Sequence, residues 1–271
     1  MEANSLPTKI NPRLAGDLSA IRNEGQSTIH PFCRGTVRPL RHRWYLSCKY
    51  VADFVLAILL ALPALPVIAV AALLVKLTSR GPAFYTQTRV GEYGRPFTIW
   101  KIRTMIHNCE SLTGPRWSMP GDPRVTRVGA LLRASHLDEL PQLLNVLRGE
   151  MSLIGPRPER PEFVPELERE LPGYWQRLTV RPGVTGLAQV QLPPDSDLSS
   201  VRRKLAHDLY YIRHLSPWLD MRLLVCTVGH ALGLPFGIIG KLLGIPDGAA
   251  VEEAMQDVLD AMPPPRARRV A

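Results

Sequence analysis

FVLAILLALPALPVIAVAALLV, Phe54 to Val75, contains no charged residue. It is about as long as a helix needs to be to cross a bilayer, roughly 20 apolar residues. It begins too far from the N-terminus to be a secretory signal peptide. Pro63 and Pro66 fall at its middle. Each removes an N–H donor and restricts the residue before it, so the spacing predicts a kink or a break there. Arg41, Arg43 and Lys49 precede the run, and Lys76 and Arg80 follow it. Positive residues mark the cytoplasmic side of a span, yet both flanks are positive. A re-entrant helix–break–helix, entering one leaflet and returning, reconciles the prolines with the charges. A kinked single span is the alternative, since membrane helices tolerate proline.

Working outward, the chain of 271 residues, 45% hydrophobic, has room for one good-sized domain with appendages. Its formal net charge of +9 favours an anionic partner: nucleic acid, a phosphorylated small molecule or an acidic lipid surface. Cys33, Cys48, Cys109 and Cys226 form no CxxC pair. Neither a disulfide framework nor a zinc site is signalled, and a reducing, cytoplasmic setting fits. The histidines show no HExxH spacing.

Residues 1–43 read as a mobile basic arm and 44–78 as the membrane segment. AFYTQTRV and PFTIWKI, Ala83–Val90 and Pro96–Ile102, are β-rich runs around the turn-like GEYGR and predict a hairpin. A loop rich in Gly, Pro and Asp follows over Thr113–Asp122, and RPGVTG, Arg181–Gly186, reads as a turn. LYYIRHLSPWLDMRLLVCTV, Leu209–Val228, mixes aromatics and bases with apolar stretches. It reads either as a segment in the membrane interface or as core helices with tryptophan at a rim. HALGLPFGIIGKLLGI, His230–Ile245, is apolar but too interrupted for a span, and PPPRARRVA, Pro263–Ala271, reads as a basic disordered tail. The fold class is therefore mixed, mostly α with a small β-hairpin.

The chemistry concentrates in HLDELPQLLNVLRGEMSLIGPRP, His136–Pro158. Leu140, Leu143, Leu144 and Leu147 recur at helical spacing. Pro141 is best tolerated in a first turn, so the helix is expected to start near Leu140, with Asp138 and Glu139 just ahead of it. A rival start takes Ser135 as N-cap with Asp138 three residues on. Either way Asp138 lies within a turn of a positive helix end, which favours an ionised carboxylate and can bind phosphate.

Two adjacent carboxylates resist sharing a site without a cation, and Mg2+ on one or two carboxylates plus substrate phosphates is the usual solution, which makes Asp138 and Glu139 the expected metal ligands. An aspartate can also be the nucleophile of phosphoryl transfer. Lys101, Arg103, Arg124, Arg127, Arg133 and Arg157 are the candidates for fixed positive charge around the transferring group. Arg157, held between prolines, suits a bidentate phosphate contact. The bland alternative makes the dyad a dipole-matching pair and the arginines a solvated face.

The residues from Lys49 to about Thr227 resemble the bacterial sugar transferases, the monotopic polyprenyl-phosphate phosphoglycosyl transferases. The resemblance is carried in order by KYVAD, SRGPAFYTQTRVGEYGRPFTIWKIRTM, DPRVTRVGALLRASHLDELPQLLNVLRGEMSLIGPRP, RLTVRPGVTGLAQV and DLYYIRHLSPWLD. It implies a cytoplasmic catalytic domain, 79–227, at the headgroup level of the bacterial inner membrane, anchored by a re-entrant helix. The implied reaction moves a phosphosugar from a nucleotide sugar, usually a UDP-sugar, to polyprenyl phosphate and releases UMP, starting surface glycan assembly.

On that resemblance Asp138 is the nucleophile, and Glu139 helps to hold Mg2+ or assists the incoming lipid phosphate. Arg133 and Arg157 are phosphate or nucleotide contacts, joined by Arg103 and Lys101. Membrane lipids are implied partners, nucleic acid is not, and a homo-oligomer is compatible.

Two departures stand out. Leu65 precedes Pro66 where the family commonly has serine, and Pro63 is additional, so no hydroxyl serves the freed backbone there. The chain resembles the compact form, with an extension over 228–271. A catalytically silent membrane scaffold of a glycan pathway is the rival function, and the joint presence of the dyad and the arginines argues against it.

Overall fold

The computed structural model describes residues 43–109, 121–171, 173–231 and 233–261. The basic arm up to residue 42, the tail from residue 262 and all but the last two residues of the Thr113–Asp122 loop lie outside the described residues. The molecule is mostly helical with two small sheets.

The apolar run lies in α1, Arg43–Thr78, which continues through Pro63 and Pro66. The expected break is therefore not an interruption of secondary structure. A proline removes one hydrogen bond and crowds the turn before it, and packing on either side can carry the helix past it. That packing is a stripe: Ala57, Ala64 and Ala71 are buried at seven-residue spacing, with Tyr45, Lys49 and Asp53 extending it below and Val75 above. Leu59, Leu62, Leu65, Val70, Leu73 and Leu77 are exposed on the other faces. This is the one described helix long and apolar enough to cross a membrane.

The predicted hairpin is present. β1 (Phe84–Val90) pairs antiparallel with β2 (Pro96–Ile102), from Phe84 opposite Ile102 to Val90 opposite Pro96. Tyr93 and Gly94 turn the chain at positive φ. Next come α2 (Arg127–Ala134), a 3-10 turn over Leu137–Gln142, α3 (Leu143–Leu147), β3 (Ser152–Ile154) and α4 (Val164–Glu170). A further 3-10 turn, Tyr174–Thr179, leads to β4 (Gly183–Thr185), α5 (Leu187–Gln191), α6 (Leu198–Arg213), α7 (Pro217–Ala231), α8 (Phe236–Leu242) and α9 (Gly248–Asp260).

RPGVTG is thus not merely a turn: Gly183–Thr185 pairs in parallel with Ser152–Ile154. A Cβ on Gly183 would come within 2.1 Å of the Gly155 backbone nitrogen, so this approach demands glycine.

Both ends of α1 are fastened to the same body. At its foot, Lys49 lies 3.3 Å from Asp53 and 2.9 Å from Asp220 of α7. Tyr45 and Tyr211 donate to Asp220 at 2.6 and 2.8 Å, and Ser152 donates to Asp53 at 2.5 Å. At its far end Arg103, just past β2, donates to the carbonyls of Ser79 and Arg80. There Ala71 and Val75 pack on Ile102 and Leu132. Gly129 brings α2 against the chain just past β2: a Cβ would lie 2.0 Å from the Thr104 carbonyl oxygen, which also accepts from the Thr126 amide at 3.0 Å.

Candidate active site

The dyad sits within the Leu137–Gln142 turn, which runs directly into α3 at Leu143, and not just ahead of a helix starting near Leu140. The chain enters it through His136 at φ 56° and ψ 14°, a left-handed conformation uncommon for a residue with a side chain. The rival capping box is absent, because Ser135 ends α2 and its hydroxyl donates back to the Leu131 and Leu132 carbonyls. So short a turn contributes little dipole field. The positive field at the dyad comes from side chains.

Those side chains treat the two carboxylates differently. Glu139 takes Lys101 Nζ at 2.7 Å on Oε1, and the Arg157 guanidinium at 2.5 Å on Oε1 and 3.2 Å on Oε2. Burial alone would raise its carboxyl, but Arg157 and Lys101 outweigh burial and hold it well below the usual range. Glu139 in turn raises Arg157, while burial lowers Lys101 against the same partner.

Among the described residues, no hydrogen bond or ion pair reaches the carboxylate of Asp138. It is 7% exposed. Burial, then the charge of Glu139, pushes it up to about 6, against the pull of Lys101, Arg133 and Arg157. An unpaired, largely dehydrated carboxylate that is still ionised at neutral pH is a competent nucleophile.

Arg133, on α2, is steadied by the Thr104 hydroxyl, which accepts from its Nε at 2.8 Å. Arg157 leaves β3 on the GPRP loop, and its carbonyl accepts from Arg177 at 2.7 Å. Arg177 is buried against Asp208 at 2.7 Å and takes the Tyr174 hydroxyl as a further acceptor at 2.7 Å. Lys101, Arg133, Arg157, Asp138 and Glu139 are therefore brought together as the sequence proposed. Arg103 is not: its guanidinium secures the end of α1 at Ser79 and Arg80 instead.

Thr104, Arg177 and Asp208 are the supporting residues that sequence reasoning missed. Only the Arg103–Thr104 adjacency hinted at the first. His230 of α7 also approaches, its ring centroid 5.7 Å from that of His136.

A trough of about 340 Å³ lies between α1 and the chain that carries the dyad, lined by Pro66, Val67, Val70, Ala71 and Leu74 of α1 with Leu132 and Leu137. Its walls are apolar, and two of them immediately precede Arg133 and Asp138 in the chain.

Residues 44–233 match the bacterial sugar transferase family. The chain belongs to that family. It is 46% identical over 175 residues to an Aeromonas hydrophila UDP-N-acetylgalactosamine-undecaprenyl-phosphate N-acetylgalactosaminephosphotransferase, a match spanning 64% of this chain and 41% of the relative. It is 46% identical over 182 residues to a Caulobacter vibrioides UDP-glucose:undecaprenyl-phosphate glucose-1-phosphate transferase, 66% of this chain and 68% of that one. A Bacillus subtilis relative, provisionally named an undecaprenyl-phosphate N-acetylgalactosaminyl 1-phosphate transferase, is 51% identical over 134 residues, 49% of this chain and 74% of the relative. These family relatives are named for different sugars, so membership alone does not fix the donor.

The donor set can be tested against Mg2+. Among the described residues no group of three or more His, Cys, Asp or Glu side chains is arranged for a metal. Mg2+ is commonly held by one or two carboxylates with water and substrate phosphates, and Asp138 offers such an oxygen. Glu139 does not as it stands, with both oxygens on Arg157 and Lys101. Within the dyad, Asp138 is thus the residue that would hold a cation, with its remaining ligands from outside the protein.

Proposed function

We propose that this sugar transferase moves a phosphosugar from a UDP-sugar to a polyprenyl phosphate through a covalent aspartyl intermediate at Asp138. The observation that carries the reading is the contrast within the dyad: Glu139 is clamped by two cations, and its neighbour is left buried, unpaired and ionisable near pH 6. An Asp138 oxygen attacks the sugar-linked phosphorus. The bond to the bridging oxygen breaks, and UMP leaves with that oxygen. An oxygen of the polyprenyl phosphate then attacks the same phosphorus, giving the diphosphate-linked product and restoring the Asp138 carboxylate.

Arg157 and Arg133 face the transferring group as fixed positive charge. Lys101 and Glu139 hold Arg157 in register, and Arg177 fixes its backbone. Asp138 would hold Mg2+ together with the donor diphosphate, and the cation would supply charge neutralisation at the phosphates.

The membrane topology follows the same logic. Lys49 at one end of α1 and Ser79 at the other are bound to one charged body, which has no place in hydrocarbon. Both ends therefore lie on one side, and α1 enters a single leaflet of the bacterial inner membrane from the cytoplasmic face. The apolar trough between α1 and Leu132 and Leu137, the residues just before Arg133 and Asp138, supports a hydrocarbon-tailed acceptor approaching from within that leaflet.

The test is UMP release by purified protein with undecaprenyl phosphate, Mg2+ and a panel of UDP-sugars. One donor should turn over. Asp138→Asn should lower the rate on the order of 10³-fold or more and abolish the phosphosugar-labelled protein. Full activity in that variant sinks the assigned nucleophile, and no turnover of any donor by the unaltered protein favours the scaffold.

A further inference from the structure

The family match ends at residue 233, yet the chain beyond it is firmly built. α9 lays Val251, Met255 and Leu259 in the core, and Asp260 pairs with Arg202 of α6 at 2.7 Å. Gln191 donates to the Pro246 carbonyl at 2.9 Å, and Arg222 to that of Gly244 at 3.1 Å. α8 packs back on α7 through Ile239, where a Cβ on Gly229 would lie 2.4 Å from the isoleucine side chain.

The outward faces of these helices differ in kind. α9 shows water Glu253, Asp257 and Asp260, as a soluble helix does. α7 shows Trp218, Met221, Val225 and Val228, and no charged residue among its fully exposed positions before His230. The chain after it adds Leu234, Ile238 and Leu242, the last 84% exposed. A continuous apolar face of this kind on a soluble monomer marks a partner.

Its position says which partner. The first turn of α7 is tied to the foot of α1 through Asp220, Lys49 and Tyr45. Its last turn, at His230, meets His136, next to the Leu137 that faces the middle of α1. The face thus starts at the foot of the helix whose own outward surface is hydrocarbon-like, and ends beside the turn that packs on the middle of that helix. Arg222 lies over the Trp218 ring at 4.8 Å and Lys241 is exposed on α8, a pairing of aromatic and basic groups suited to headgroups.

We infer that α8, contributed by the extension, is a second membrane contact that continues the apolar face of α7, its outward face dipping among the acyl chains of an anionic leaflet. α9 then closes the extension on the water side, its acidic face turned from the lipid. The inference rests on the membrane reading of α1, and it is independent of the catalytic one.

An experiment separates them. In the full chain, with the native cysteines replaced, a single fluorescent label is placed by Ile238→Cys, by Ala254→Cys on α9, or by Val70→Cys on α1, and the protein is put into vesicles containing phosphatidylglycerol. Quenching by lipids spin-labelled high on the acyl chain should be about threefold or more stronger at 238 than at 254, as expected of an apolar face buried at the headgroup boundary. Quenching by aqueous iodide at 238 equal to that at 254 overturns the proposal. Protection at 238 from both quenchers also overturns it, pointing to a second copy of the chain on this face. A label at 70 that lipid does not quench removes the membrane reading itself.

Discussion

Lys49 lies between Asp53 and Asp220 at the foot of α1, and Lys101 lies against Glu139 beside Asp138. Each cluster buries two carboxylates around a lysine. At the foot, Ser152, Tyr45 and Tyr211 bring hydroxyls to the carboxylates, so both are satisfied. At the dyad, Arg157 joins Lys101 on Glu139, and among the described residues no bond reaches Asp138. The difference separates a buried ionic cluster that holds a helix from one that leaves reactive charge in place. With Arg133 added, the second also carries a surplus of positive charge, as an anionic substrate requires.

The largest expected effect breaks the first cluster. Lys49→Met leaves Asp53 and Asp220 buried without a cation and should cost about 3–5 kcal/mol of stability. Thermal unfolding in detergent measures it, and a loss below about 1 kcal/mol would mean that the hydroxyls suffice alone.

At the second cluster the sign reverses. Burial raises Asp138 from 3.8 to about 6, so its contribution to stability is fully present below pH 3.8 and lost as pH rises through about 6. Above that, the ionised group destabilises the fold, and Asp138→Asn should raise stability at pH 7.5 by about 3 kcal/mol, the gain fading towards pH 4. A destabilised variant at pH 7.5 contradicts an uncompensated Asp138. The same shift makes kcat/KM of the unaltered protein climb with pH to about 6 and then level off.

The smallest effect concerns Arg103. Because its guanidinium secures α1, Arg103→Lys should change KM for the sugar nucleotide by less than about threefold while lowering the melting temperature. A selective loss of donor affinity would return Arg103 to the site.

Much of this was legible in the chain because the informative residues are neighbours. The hairpin announces itself in alternating β-formers around GEYGR, and the dyad is two adjacent letters. β3 and β4 were not legible: they are three-residue strands whose pairing depends on the contact of Gly155 with Gly183, which no local pattern shows. The support of Arg157 was equally hidden, since Arg177 and Asp208 are 31 residues apart and meet only in the folded core. Arg103 drew attention as a charge next to Lys101. Yet it is Thr104 that serves the site, because successive residues at the end of the strand serve different neighbours: Arg103 reaches α1 and Thr104 reaches Arg133.

Gly129 carries a last consequence. With the Thr104 carbonyl where a side chain would be, and the Thr126 amide bonded to the same oxygen, α2 has no room to slide along the hairpin. The span from Lys101 to Arg133 is then fixed like the jaws of a locked caliper. On the proposed function, a rigid gauge of that kind selects by phosphate geometry, and discrimination among sugars falls to parts of the chain that this brace does not hold.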